Sequence, residues 1–293
     1  MSVSGTVEGW GMVWFGMRCA HSTERRIAGP WVRRVALALA LVASVGQVPA
    51  QDTHWLDVES RIQYGYFTED QHALRGLVEP LSSNDAHDRL KSYYAGLLAY
   101  RQTQLAEARA NPGAPAAGAG NKLPTPGRSK NEARQTVERC VGSLDHALEA
   151  QKDFADALAL QSACLDQLAA LGSWRSPLAG SRSAGQLRKA LQLAPKNPRV
   201  LLLDAISDYE HPKSADAPRS CDKFKNTAAV FETERANVDQ VPGWGAAEAY
   251  TWLGRCYLGN GDAVPARDAL ERALLIAPEF GQAKRLLSSI TSG

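Results

Sequence analysis

Apolar side chains recur at every third or fourth position along most of the chain after Gln51. The segment 130–151 shows this spacing, and the segment 153–169 repeats it with larger aliphatic residues. Such spacing places the apolar side chains on one face of an α-helix. No stretch alternates apolar and polar residues between turn signals, so the pattern predicts an all-α fold without a sheet. The apolar positions of the first segment are Val137, Cys140, Val141, Leu144, Ala147 and Leu148.

Two segments interrupt the helical pattern. Residues 110–130 are rich in proline, glycine and alanine, and they carry too little apolar surface to offset the entropy lost on ordering. We therefore predict a flexible loop at 110–130. Residues 172–185 are rich in serine and glycine, and there we predict a second, shorter loop.

The clearest pair of helices lies near the C-terminus. Two periodic stretches, about 247–259 and about 263–276, are separated by the turn sequence GNGD. Asp262 can cap the second helix, and Pro265 falls in its first turn, where a missing N–H costs little. Pro278 ends that helix, because the residue before a proline avoids the α conformation. Small residues within the pair would let the two backbones approach closely.

The segment 247–280 resembles one whole tetratricopeptide repeat (TPR), as found in exported bacterial proteins. It is 34 residues long and carries that family's pattern at Leu253, Gly254, Tyr257, Ala266, Leu270, Ala273 and Pro278. Weaker copies of the second-helix pattern occur at Leu187, Ala190 and Pro195, and at Leu144 and Ala147. The resemblance implies a TPR-like solenoid, in which antiparallel helical hairpins stack to bury faces that no single hairpin can bury alone.

The periodicity and the resemblance together predict five hairpins and a final helix. The hairpins are expected at 53–82, 86–150, 153–194, 198–236 and 243–276. The final helix, at about 279–291, is apolar on one side and polar on the other, as the capping helix of a repeat array requires. Residues 51–293 would then form one TPR-like helical repeat domain.

Residues 1–50 show the three parts of a secretory signal peptide. Arg33 and Arg34 precede an apolar run of about 14 residues, and small residues follow before Gln51. The run is too short to span a bilayer comfortably, so we expect no stable membrane anchor. Cleavage after Ala50 would deliver the protein to the periplasm or the exterior. The alternative is a buried N-terminal helix.

Four cysteines follow the predicted signal: Cys140, Cys164, Cys221 and Cys256. Cys140 and Cys164 lie 12 residues before and 12 after a predicted turn, so they should sit level on neighbouring helices. Cys221 and Cys256 are nearly level about the predicted turn near residue 240. Because an oxidising compartment favours disulfides, we predict these two pairs. The alternative is four free cysteines buried in the core.

Signals for an enzyme are weak. Ser220 and Lys223 fit a Ser-x-x-Lys pattern, but its companion elements do not accompany it. The histidine and cysteine spacings fit no metal site, and no phosphate-binding glycine motif follows a predicted strand. We therefore expect no catalytic residues, no cofactor and no metal. The formal net charge of 51–293 is −1, which argues against nucleic acid as the main partner.

The family resemblance implies a binding function. The family binds peptides on the inner, concave face of the stack, and Glu248, Thr251 and Arg255 of the best repeat would point there. We interpret the chain as an exported, non-catalytic scaffold or adaptor that binds a protein or peptide partner. One alternative is an envelope hydrolase with a helical accessory region. The other is a small-molecule or lipid carrier, which needs a deep apolar cavity, whereas an open groove favours the scaffold.

Overall fold

The computed structural model describes residues 50–82, 88–110, 127–172, 176–212, 220–234 and 241–291. Within these ranges no strand occurs and every regular element is helical, which confirms the all-α prediction. The helices there are α1 (Ala50–Phe67), α2 (Gln71–Gly76), α3 (Val78–Ser82), α4 (Arg89–Ala110), α5 (Gly127–Ala150), α6 (Ala155–Ala170), α7 (Ser176–Leu193), α8 (Pro198–Glu210), α9 (Asp222–Glu234), α10 (Ala246–Gly259), α11 (Ala263–Ile276) and α12 (Gly281–Thr291).

Helices that follow one another along the chain pack together as hairpins. α4 packs on α5, α6 on α7, α8 on α9 and α10 on α11, while α1 packs on the short helix α2. Neighbouring hairpins meet where α1 contacts α4, α5 contacts α6, α6 contacts α8 and α9 contacts α10, and α12 then covers α11. The arrangement is the predicted solenoid of helical hairpins, with a last helix closing the series.

Local sequence signals set several helix starts. Asp70 accepts hydrogen bonds from the backbone N–H groups of His72 and Ala73, at 2.8 and 3.0 Å, and so caps α2. Asn197 caps α8 in the same way, and Pro198 occupies the first helical position, where its missing N–H has no partner to lose. Asp262 stands at the cap position of α11, as predicted, but its side chain makes no capping hydrogen bond.

A glycine on one helix facing a leucine on the next recurs in three hairpins. A Cβ at Gly254 would lie 2.6 Å from Leu270 Cγ, and a Cβ at Gly96 would lie 2.6 Å from Leu144 Cγ. In the first hairpin, a Cβ at Gly65 would lie 2.8 Å from a methyl carbon of Leu74. Each glycine therefore allows the two backbones to approach so closely that any larger residue would collide with the leucine.

The residues of the best repeat occupy the positions that stacking requires. Five of them are buried: Leu253, Gly254, Ala266, Leu270 and Ala273. Tyr257 is half-buried, and Pro278 is exposed in the turn between α11 and α12. The small residues of the sequence thus lie at the contact between the two helices of the repeat.

Two predicted segment boundaries differ from the structure. The predicted loop at 172–185 is wrong, because α7 already begins at Ser176. Ala179 and Ser183 of this stretch are buried, and the Ser183 hydroxyl donates to the carbonyl of Ser162 on α6 at 3.1 Å. Packing against α6 therefore outweighs the low helix propensity of serine and glycine. Most of the loop predicted at 110–130 lies outside the described residues, but its last four residues are helical, because α5 begins at Gly127.

The N-terminal segment cannot be compared with the structure, since residues 1–49 lie outside the described residues. Ala50, the last residue of the predicted signal peptide, is the first residue of α1. Among the helices in the described ranges, none combines the length and the apolar character needed to cross a membrane.

Candidate functional site

The three residues predicted to face a partner are buried. The exposed fraction is 3% for Glu248, 1% for Thr251 and 5% for Arg255. The prediction that they form an accessible surface was wrong. Arg255 lies against the rings of Tyr209 and Trp252, and Glu248 is covered by side chains of α1 and α4. We call this contact the closure interface: α1 and α4 on one side, and residues 241–255 with α12 on the other.

An ion pair lies at the centre of the closure interface. Arg101 of α4 is 1% exposed and donates from Nη2 to Glu248 Oε1. The same carboxylate oxygen accepts a 3.2 Å hydrogen bond from Gln63 Nε2 of α1. The guanidinium carbon of Arg101 lies 4.1 Å from the ring centre of Tyr66 and 4.9 Å from that of Trp244. This one arginine therefore contacts α1 and the α10 segment at once.

Burial in this region also shifts the ionisation of neighbouring groups. Tyr66 is buried, and desolvation raises the pKa of its hydroxyl to about 12, which keeps the phenol neutral beside Arg101. A neutral phenol presents an electron-rich ring face to the guanidinium without placing a second negative charge next to Glu248.

A second polar group of the closure interface is centred on Glu59 of α1. Its carboxylate accepts a 2.8 Å hydrogen bond from the Tyr94 hydroxyl and bonds of 3.0 and 3.1 Å from the N–H of Gly243. Desolvation raises the pKa of Glu59, although these hydrogen bonds favour the ionised form. Beside it, Trp244 Nε1 donates to the Tyr93 hydroxyl at 2.7 Å. Helices α1 and α4 therefore share directional contacts with the segment that leads into α10.

The last helix also touches the first. Phe280, just before α12, packs its ring 4.6 Å from that of Phe67 and 5.6 Å from that of Tyr66. Arg285 of α12 forms an ion pair with Glu69, which follows α1. The first and last hairpins of the series are therefore joined by apolar and by charged contacts.

A separate buried ion cluster joins α6, α8 and α9. Arg199 donates from Nε to Asp156 at 2.7 Å and from both terminal nitrogens to Glu234 at 2.7 and 2.8 Å. Asn197 donates to the other oxygen of Asp156 at 2.8 Å. Burial lowers the pKa of Arg199, but hydrogen bonds and charges from Glu234 and Asp156 have the larger, opposite effect, so the pKa is raised overall. The charged groups of the cluster pair with one another, and these pairs hold the three helices in position.

The structure joins the cysteines in the predicted pairs. Cys140 is bonded to Cys164 and Cys221 to Cys256, with Cα–Cα distances of 6.2 and 5.8 Å. The first bridge links α5 to α6, and the second links the residue before α9 to α10. Each bridge therefore connects one hairpin to the next, where a solenoid would otherwise separate.

One accessible depression lies between α5, α6 and α7. It is an open groove of about 370 Å³, which we call the α5–α7 groove. Leu148 and Leu158 supply its apolar part, and its polar lining comes from both acidic and basic side chains. A groove lined by side chains of both charge signs can accept a peptide segment by shape and by charge. The polar lining residues are Asp145, Glu149, Lys152, Gln186 and Lys189.

The Ser-x-x-Lys pair does not form a catalytic arrangement. The Ser220 hydroxyl donates to Asp222 at 3.0 Å. The Lys223 ammonium instead forms ion pairs with Asp204 and Asp208, and these two carboxylates, through hydrogen bonds and charge, outweigh burial and raise its pKa. A lysine held protonated by two aspartates is a poor base for a serine nucleophile. In the described part of the chain, no three His, Cys, Asp or Glu side chains are grouped as metal ligands.

Comparison with known proteins gives one partial similarity. No family model matches the chain. Over 83 residues the chain is 31% identical to a protein of Schizosaccharomyces pombe described as a probable vesicular-fusion protein sec17 homolog. The similarity covers 28% of this chain and 29% of that protein, so the chain spans less than a third of the length of its relative.

Proposed function

We propose that the chain is a TPR-like, exported and non-catalytic scaffold that binds a protein or peptide partner. The observation that carries this proposal is the α5–α7 groove, which is open to solvent while the face predicted to bind is buried. An open groove with a charged lining suits a peptide or a helix of another protein.

Export is part of the same proposal. The sequence of 1–50 is typical of a signal peptide, and bridged cysteine pairs are typical of proteins in oxidising compartments. The arrangement around Ser220 and Lys223 supports the non-catalytic part, because the lysine is held by two aspartates. A small-molecule or lipid carrier remains the second candidate, but the α5–α7 groove is open and lined by charges, which favours the scaffold.

The test is a comparison of captured partners between charge-reversal variants. The bait is the full chain, as wild type, as Glu149→Lys/Lys189→Glu in the groove, and as Arg267→Glu on the exposed face of α11. Quantitative mass spectrometry of the captured envelope proteins is the readout. We expect the wild type and the α11 variant to retain the same proteins and the groove variant to lose them. Equal capture by all three baits would contradict a partner site in the groove.

A further inference from the structure

One face of α1 is buried as a partner helix would be buried. Trp55, Val58, Ile62 and Tyr66 follow the spacing i, i+3, i+7 and i+11, and each is at most 8% exposed. Tyr64, on the opposite side of the helix, is 61% exposed. This is the pattern by which an amphipathic helix lies in a groove of another protein, with bulky apolar residues as anchors.

The surface that receives α1 adds directional groups to this apolar contact. The Trp55 ring stacks on Tyr94 of α4, with ring centres 5.5 Å apart. The Tyr94 hydroxyl and the N–H of Gly243 both point at the carboxylate of Glu59. One helical turn further, Gln63 meets Glu248. The surface therefore forms hydrogen bonds with a helix at two polar positions, i+4 and i+8, between the apolar anchors of that helix.

The polar fit between α1 and this surface is incomplete. Among the residues that the structure describes, Arg101 Nε, Glu248 Oε2 and Gln63 Oε1 are buried without a hydrogen-bond partner. Each such atom is unfavourable, because it gives up water and gains no protein partner. Glu248 also lies close enough for its charge to oppose ionisation of Glu59. Another helix with better-placed donors and acceptors at i+4 and i+8 can therefore bind this surface more favourably.

The junction after α1 permits the helix to leave. The start of α2 has its own cap, since Asp70 accepts from the N–H groups of His72 and Ala73 within the same short segment. Glu69, at the junction, has a φ of 58°, a left-handed conformation that is unfavourable for a non-glycine residue. Release of α1 would relax this residue and leave the cap of α2 intact.

We propose that the surface formed by α4 and residues 241–255 is a helix-binding site that α1 fills in the free protein. Its partner is a helix with bulky apolar residues at i, i+3, i+7 and i+11 and a carboxylate or amide at i+4 and i+8. The inference rests on the proposed binding function and adds a buried inner site to the solvent-open α5–α7 groove. Because α1 is tethered, its effective concentration is in the millimolar range, and a free helix competes poorly until α1 is weakened.

The test uses a fluorescein-labelled peptide of residues 51–67 as the probe and fluorescence anisotropy as the readout. It is titrated with the full chain as wild type, as Trp55→Ala and as Tyr64→Ala. Trp55→Ala removes the ring that stacks on Tyr94, whereas Tyr64→Ala changes the exposed face of the same helix. We expect Trp55→Ala to bind the peptide at least tenfold more tightly than the wild type, and Tyr64→Ala to match the wild type.

Hydrogen exchange of α1 accompanies the titration. If Trp55→Ala binds the peptide no better than the wild type, the proposal is overturned. Fast exchange of the α1 amides would then show that the vacated surface does not bind a helix, and slow exchange would show that α1 is not displaced. Should Trp55→Ala fail to fold, Val58→Ala weakens the same face by a smaller truncation and is read in the same way. Neither result bears on the groove variants described above, so failure of the inner site and failure of the scaffold function are distinguishable.

Discussion

Replacing Arg101 with methionine tests the closure interface through its central ion pair. Arg101 and Glu248 have side chains 2% and 4% exposed, so Arg101→Met leaves a buried carboxylate with only Gln63 as a donor. Breaking a buried pair from one side costs about 3–5 kcal/mol. In a chain of this size one kcal/mol lowers the melting temperature by about 2–4 °C, so we expect a decrease of about 6–20 °C.

Two further variants make the interpretation specific. Arg267→Met breaks an i, i+4 pair with Glu271 whose side chains are 59% and 49% exposed, and it should leave the melting temperature close to that of the wild type. The double variant Arg101→Met/Glu248→Met removes both charges and should be more stable than Arg101→Met alone. Circular dichroism melting curves and urea titrations provide the measurement. An Arg101→Met protein that melts within a degree or two of the wild type would show that Arg101 is solvated, and the reasoning would fail.

Three further predictions follow from the hairpins, the disulfides and the N-terminus. Gly254→Ala should destabilise by roughly 1–3 kcal/mol, because its Cβ would overlap a leucine of α11, whereas Gly142→Ala meets nothing within 4 Å and should not destabilise, as urea titration can show. Dithiothreitol should reduce the bridge between Cys221 and Cys256 first, because Cys221 is half-buried whereas both cysteines of the other bridge are fully buried. Alkylation and peptide mapping give the order of reduction, and the opposite order would contradict this prediction. Secreted protein should begin at Gln51 by N-terminal sequencing, and a mature chain that retains 1–50 would contradict export.

Much of the fold could be predicted because it is set by local pattern. The period of the apolar residues locates the helices, and proline, asparagine and aspartate mark several of their starts. The repeat pattern predicts Gly254 and Ala273 as contact residues; in the structure Gly254 faces Leu270 and Ala273 is fully buried. The prediction of a loop at 172–185 was wrong because it used composition alone, and composition does not show that α6 packs against this segment.

The closure interface could not be predicted in the same way. Whether the first hairpin touches the last depends on how small rotations between hairpins accumulate, and no local pattern records that sum. A signal was nevertheless present in α4. Arg101 stands seven residues after Tyr94, on the same helical face as Leu97 and Leu98, so a charge occupies an apolar face. A buried arginine needs a buried carboxylate as its partner. The partner is Glu248, and the pair is missed because the sequence prediction places Glu248 on an open surface.

The contact between α1 and α10 is tested most directly by photo-crosslinking from inside the interface. Photo-methionine is incorporated in place of Gln63, the folded protein is irradiated, and the monomer is isolated and digested. Because Gln63 Nε2 lies 3.2 Å from Glu248 Oε1, the account predicts crosslinks between the α1 peptide and residues 241–259. Crosslinks confined to residues 50–110, with none reaching 241–259, would contradict it.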